Sequence, residues 1–324
     1  MEQVSGSPED AVKFKASFFG MLVVVLVLIS TFSRAQAQDA RPLITGISHI
    51  SVYATDGAKT EQFYVHDLGG VKRSDPENPN GVRYYFSPVQ FVEVLPLPAE
   101  HTINRLDHVA FVTANADGLR RYMGAHGITA PDKVESGSDG SKWFAVTDPE
   151  GNKVEFVQPP AHPEAVNSPN PISNHIIHVG YMVHDRSAED TFYRAVLGFR
   201  PYWYGGFSET QASWVSQQVP NGTDWIEYML VYTPEKTGIP ASVTAASLGT
   251  MDHFSLGVKD IKQLSETLYF GDRLPQKNSG PKIGRDAKWQ YNLFDPDGTR
   301  AETMEFQPVG KPCCSEFTAS SPTK

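Results

Sequence analysis

The sequence predicts an α+β protein made of four copies of one small module, and three observations carry that expectation. A phrase is written four times: a histidine on an alternating apolar segment, closed seven positions later by Asp or Asn, from His49 to Asp56, His108 to Asn115, His178 to Asp185 and His253 to Asp260. The first and third copies continue with related helical words, Phe63-Tyr64 through Leu68-Gly69 and Phe192-Tyr193 through Leu197-Gly198. The second and fourth share a turn, Asp148-Pro-Glu-Gly151 and Asp295-Pro-Asp-Gly298, in which proline fixes one dihedral and glycine permits a positive one. Each module therefore reads as a strand, a helix and then several strands. Agreement between alternate copies makes the natural unit a pair of modules, duplicated once.

In chain order, the first element is an apolar run at 18–29, preceded by Lys13 and Lys15 and followed by Ala35-Gln-Ala37. It reads as a secretory leader over 1–37, because its core is shorter than the roughly 20 residues a membrane-spanning helix needs. An uncleaved membrane anchor is the alternative. With the leader removed, the chain is expected to be secreted or periplasmic, with no stable membrane insertion. The four histidine phrases follow as strands. Ile50 and Val52, Val109 and Phe111, Val179 and Tyr181, and Phe254 and Leu256 share one face, and each histidine lies on the other. The residue two beyond each histidine shares its face and is small (Ser51, Ala110, Gly180, Ser255), which leaves room beside the imidazole. Each closing Asp or Asn is placed to cap a helix. Late in each module, a glutamate stands between apolar neighbours on a second alternating segment: Glu93, Glu155, Glu227 and Glu305. A proline-dense connector at 159–171 separates expected domains at 43–158 and 172–308, and 309–324 reads as a flexible tail.

Composition narrows the partners. The chain of 324 residues carries a formal charge of −9 and offers no basic stripe for phosphate backbones, so no nucleic-acid partner is expected. The two cysteines, Cys313 and Cys314, are adjacent; a mutual disulfide would be strained, and no disulfide framework is expected to hold the fold. Arg83, Arg194 and Arg285 read as solvated surface charges. The aromatics Tyr202-Trp203-Tyr204, Trp214, Trp225 and Trp289 could form core or line a pocket.

A carboxylate inside an apolar strand is costly to bury unless something neutralises it, and a divalent cation does so efficiently. One histidine and one glutamate per module, with modules paired, would bring two imidazoles and two carboxylates together, a set that suits Zn, Ni, Fe or Mn. On these residues the chain resembles the vicinal oxygen chelate superfamily over nearly all of 44–308. The resemblance implies strand-helix-three-strand modules paired into two cupped sheets around metal. It implies His49, Glu93, His108 and Glu155 as ligands in one domain, and His178, Glu227, His253 and Glu305 in the other. Glu155 and Glu305 are the implied proton carriers.

The ligand set arbitrates among the chemistries of that superfamily. A His-Glu-His-Glu set is similar to that of glyoxalase-like isomerases and lyases, where metal holds substrate oxygens and a carboxylate moves a proton on a small oxygen-rich molecule. Extradiol ring-cleaving dioxygenases resemble the chain in length and layout, but use two histidines, one carboxylate and a further histidine between the ligand histidines. This chain has none between His184 and His253, and neither His66 nor His101 is placed for the role. Non-catalytic binding of a small molecule, as in bleomycin-resistance-type members, is the third expectation.

Overall fold

The computed structural model describes residues 40–100, 103–233 and 238–323. The leader expected at 1–37 lies outside the described residues; among those described, no helix is long and apolar enough to cross a membrane. The described residues from Pro42 onward form one compact unit.

Two eight-stranded sheets carry the four modules. In the first sheet, β1 (Ile44–Ala54), β2 (Val71–Ser74), β3 (Val82–Ser87) and β4 (Gln90–Pro96) come from module one, and β5 (Leu106–Thr113), β6 (Glu135–Ser136), β7 (Lys142–Thr147) and β8 (Lys153–Gln158) from module two. Their order is β2-β3-β4-β1-β5-β8-β7-β6. The second sheet repeats it with β9 (Ile176–Val183), β10 (Arg200–Gly205), β11 (Trp214–Gln218), β12 (Trp225–Leu230), β13 (His253–Val258), β14 (Asn278–Ile283), β15 (Trp289–Phe294) and β16 (Arg300–Glu305), ordered β10-β11-β12-β9-β13-β16-β15-β14. The histidine strand of each module is thus central, paired in parallel with the last strand of its own module and antiparallel with its counterpart.

Local chemistry sets the helices. Asp56, Asn115, Asp185 and Asp260 all cap them, their side chains accepting from Ala58 and Lys59, Gly118, Ala188 and Gln263 backbone N–H groups. In modules one and three the helix continues as a wider π-helical turn, Gln62–Asp67 and Asp190–Val196, through the shared Phe-Tyr pair. The apolar strand faces meet in one continuous core that includes Ile50, Val52, Val109, Phe111, Val179, Tyr181, Phe254 and Leu256. Each such side chain contributes about 1.5–3 kcal/mol of burial.

The two Asp-Pro-acid-Gly turns also join the sheets. Gly151 and Gly298 take the expected positive φ, 89° and 94°. The acid before each glycine reaches the helix start of the other sheet's first module. Glu150 accepts from the backbone N–H groups of His184 and Asp185 at 2.8 and 2.6 Å. Asp297 accepts from Thr55 N at 2.8 Å and from Arg105 Nε at 3.1 Å.

The final segment corrects one expectation. Residues 313–322 are docked rather than loose, hydrogen-bonded along β10 through Cys314 N to Tyr204 O (3.2 Å) and Thr318 N to Tyr202 O (3.0 Å). Sheet edges expose unpaired backbone groups, and this segment satisfies part of one edge. Cys313 and Cys314 are joined to each other by a disulfide.

Candidate metal centres

Strand register puts the repeated residues on one inner face. Ser51 lies beside both Glu93 on β4 and His108 on β5, and Ala110 lies beside His49 and Glu155. In the second sheet Gly180 lies beside Glu227 and His253, and Ser255 beside His178 and Glu302. The small residues do what their size implies. A Cβ at Gly180 would stand 2.2 Å from Cε1 of His253, so only glycine lets that imidazole lie flat over the strand. Gly180→Ala is therefore expected to displace His253 and destabilise the fold by about 1–3 kcal/mol, seen in thermal unfolding, whereas Ala110→Gly is expected to leave the first sheet's cluster in place.

Two clusters result: His49, His108 and Glu155, and His178, His253 and Glu302, each able to hold a metal ion with ligand atoms within 4.8 Å of one another. The Nε2 atoms of His49 and His108 face each other at 2.8 Å, and those of His178 and His253 at 3.0 Å. The outward ring nitrogens fix the tautomer of one imidazole in each pair. His108 Nδ1 lies 2.6 Å from Asp107 Oδ2, and His253 Nδ1 lies 2.7 Å from the Met251 carbonyl oxygen. Both oxygens accept, so Nδ1 holds the proton and Nε2 turns a lone pair inward, the orientation a metal ligand requires. Glu155 stands 3.8 Å from His108 Nε2, and Glu302 stands 3.1 Å from His178 Nε2. A fourth group completes each set: Glu93 lies 4.0 Å from His108 Nε2, and Glu227 lies 3.6 Å from His253 Nε2.

Glu305, expected as ligand and proton carrier, takes neither position. It is three residues from Glu302 on one strand, an odd step that turns its side chain to the opposite face. There it accepts from Ile261 N at 2.9 Å, at the start of the helix Ile261–Phe270. Glu302 was legible by counting from the turn: Glu155 is seven residues after Asp148, as Glu302 is after Asp295.

The donor sets fit a divalent ion. Glu155 Oε1 is buried without a hydrogen-bond partner, and a buried carboxylate with an unpartnered oxygen is costly unless a cation faces it. Burial, with the neighbouring His108 and the cations Arg83 and Lys153, holds His49 well below the usual imidazole range. Burial and Arg300 do the same to His253. Burial pushes Glu227 up to about 8, with Glu302 adding to the rise, and pushes Glu93 up to about 9, with Asp75 adding to it. Glu302 differs: burial favours its neutral form, but Arg300 and the His178 contact outweigh it and hold the carboxyl below its ordinary value.

The two cups are not equivalent. Opposite Glu93 the first sheet places Arg83; opposite Glu227 the second places Ser216. Arg83, expected on the surface, is only 2% exposed, because it is held between Asp75 and Glu77 with its guanidinium 4.3 Å above the Phe91 ring. Ser216 leaves that space open. A cavity of about 260 Å³ reaches Glu227 and Glu302 and is walled by Tyr202, Trp203, Trp214 and Trp225. Those aromatics thus line a pocket as well as packing together in a small cluster. The first cup opens through about 350 Å³ that reaches Glu93, His108 and Glu155 and is lined further by Glu77, Lys133, Glu135 and Lys153.

The model of the Glyoxalase/Bleomycin resistance protein/Dioxygenase superfamily matches twice, at residues 46–156 and 175–303. No curated protein matches the sequence. Among solved structures, the chain is similar to a catechol 2,3-dioxygenase (TM-score 0.60, 13% identity, 85% of this chain and 96% of that one). It is also similar to homoprotocatechuate 2,3-dioxygenase from Brevibacterium fuscum (TM-score 0.58, 18% identity, 87% and 84%). The Mn(II)-bound glyoxalase from Novosphingobium aromaticivorans is comparably similar (TM-score 0.56, 17% identity, 82% and 83%). At these identities the likeness establishes the fold.

Proposed function

Since the chain belongs to the Glyoxalase/Bleomycin resistance protein/Dioxygenase superfamily, we propose that it is a metal-dependent isomerase or lyase that moves a proton on a small oxygen-rich molecule, with the reaction in the second cup. One observation carries this reading: a fourth group, Glu227, stands beside the His178, His253 and Glu302 cluster and lines the cavity. Its side chain is 12% exposed against 3% for Glu93, the fourth group of the first cup. His178, His253 and Glu302 would hold the divalent ion. When bound, that ion lowers the cost of negative charge on a substrate oxygen. Glu227 takes the proton from the carbon beside the substrate carbonyl and returns it to a neighbouring atom. Its carboxyl, raised by burial toward neutrality, suits a group that must both accept and release a proton. The roles expected together for Glu155 and its counterpart are thereby divided, the triad glutamate binding and the fourth glutamate carrying the proton. Export belongs to this reading and is supported by the apolar run at 18–29 with its following Ala35-Gln-Ala37.

Incubating protein loaded with Zn, Ni, Fe or Mn in D2O with a panel of α-hydroxycarbonyl compounds tests the proposal. Deuterium entering the carbon beside the carbonyl is the expected result by NMR. Iron-dependent oxygen uptake with a catechol, without such exchange, would replace this reading with ring cleavage.

Loading should also release protons. In the metal-free protein at pH 7, Glu227 and Glu93 are mostly protonated while the buried imidazoles are neutral, so an arriving ion displaces protons from carboxylates. Apparent affinity is expected to keep rising up to pH about 8–9. A site limited by ordinary histidines would level off above about 6.5. Calorimetry in buffers of differing ionisation enthalpy measures the difference.

A further inference from the structure

Consecutive residues near the C-terminus bind opposite margins of the second cup. Cys313 N donates to Arg285 O at 2.8 Å, on the turn joining β14 to β15, and Cys314 N donates to Tyr204 O on edge strand β10. Beyond this crossing, Phe317 enters the wall of the cavity that reaches Glu227 and Glu302. Its ring packs 5.0 Å from that of Tyr202, whose hydroxyl meets Ser321 Oγ at 2.6 Å, and Gln218 Nε2 donates to Ser320 O at 2.8 Å. Phe317 also covers a buried lysine. Lys288 Nζ lies 5.1 Å from the Phe317 ring centroid and 5.0 Å from that of Trp225, and Trp225 stacks on His178 at 4.7 Å. A cation between aromatic faces binds them together more strongly when water is excluded. A chain of contacts therefore runs from the final segment to a cluster imidazole.

We propose that residues 313–322 are a working part of the second site, a strap that closes its mouth and, through Phe317, sets the size of molecule admitted. The inference deepens the proposed reaction in the second cup and rests on it for what is admitted, but the closure itself can be tested without metal. The first cup supplies an internal control, since among the described residues the hydrogen bonds and ring contacts of this segment go to the second sheet.

Carbethoxylation of histidines by diethyl pyrocarbonate in the metal-free protein, read site by site by mass spectrometry, reports access to each cup. In Phe317→Ala, and in a chain ending at Gly310, His178 and His253 are expected to react at least about fivefold faster, with His49 and His108 unchanged, because local closure limits access. Equal rates in Phe317→Ala and the unaltered protein would overturn the strap, as would acceleration of all four histidines in that variant. Should the shortened chain lose its fold by circular dichroism, Phe317→Ala alone decides. With Mn2+ loaded, release to a chelator should accelerate only in the phase that His253→Ala removes. An unaltered protein that binds none of Zn, Ni, Fe or Mn would sink the proposed function, while the histidine rates would still decide the strap.

Discussion

Changing His253 and Glu302 together to alanine is expected to empty the second cup of metal while the first keeps its own, and changing His108 and Glu155 is expected to do the reverse. Each pair removes two of the three groups that converge in its cluster. The loss should exceed the roughly 10–100-fold that altering an outer hydrogen-bond partner costs in affinity. Glu305→Ala is the informative contrast. Its carboxylate faces away and accepts from Ile261 N, so metal content should stay constant while the fold loses about 0.5–2 kcal/mol through the weakened helix start. Metal per chain by elemental analysis, beside thermal unfolding, measures both. A Glu305→Ala protein that loses metal with its fold intact would contradict the register of β13 against β16.

The second large effect is expected from Glu227→Gln. Glutamine keeps the volume and the neighbouring Ser216 but neither accepts nor returns a proton, so exchange should fall by about 10²–10⁴ while the metal stays bound. Glu93→Gln should change turnover by less than about tenfold. Its carboxylate receives a hydrogen bond from Ser51 and lies opposite Arg83, which Asp75 and Glu77 hold in place. Equal losses in both variants would place the reaction in both cups; a loss only in Glu93→Gln would move it to the first. Glu93→Gln should further stabilise the metal-free protein above pH about 5. The folded carboxyl is raised to about 9, so the wild-type fold is progressively disfavoured as pH climbs from the ordinary carboxylate value toward 9, and glutamine lacks that penalty.

The positions of His49, His108, His178 and His253 were legible because strands alternate and each histidine has a small residue on its own face. Helix starts were legible because Asp and Asn have one preferred use there, and all four serve it. Glu305 was misread for a definite reason. Glu155 and Glu305 share the word Glu-Phe, in Glu155-Phe156 and Glu305-Phe306, but Glu305 is ten residues beyond its turn where Glu155 is seven, and a three-residue slip reverses the face of a strand. Arg83 was illegible as a buried group because the β2–β3 connection folds Asp75 and Glu77 back onto it over the Phe91 ring, and Lys288 because its rings, Trp225 and Phe317, are distant in sequence. The final segment is not legible as docked because many of its hydrogen-bond partners lie on β10, more than 100 positions away. Local pattern specifies faces and caps; it does not specify which distant segment covers an edge.

Anomalous diffraction from crystals soaked in Zn2+ or Mn2+ tests the central claim most directly. Two peaks are expected per chain, one between the Nε2 atoms of His49 and His108 beside Glu155, and one between those of His178 and His253 beside Glu302, each about 2.0–2.3 Å from its ligands. Maps with no peak at either place, from protein whose imidazole pairs remain face to face, would contradict it.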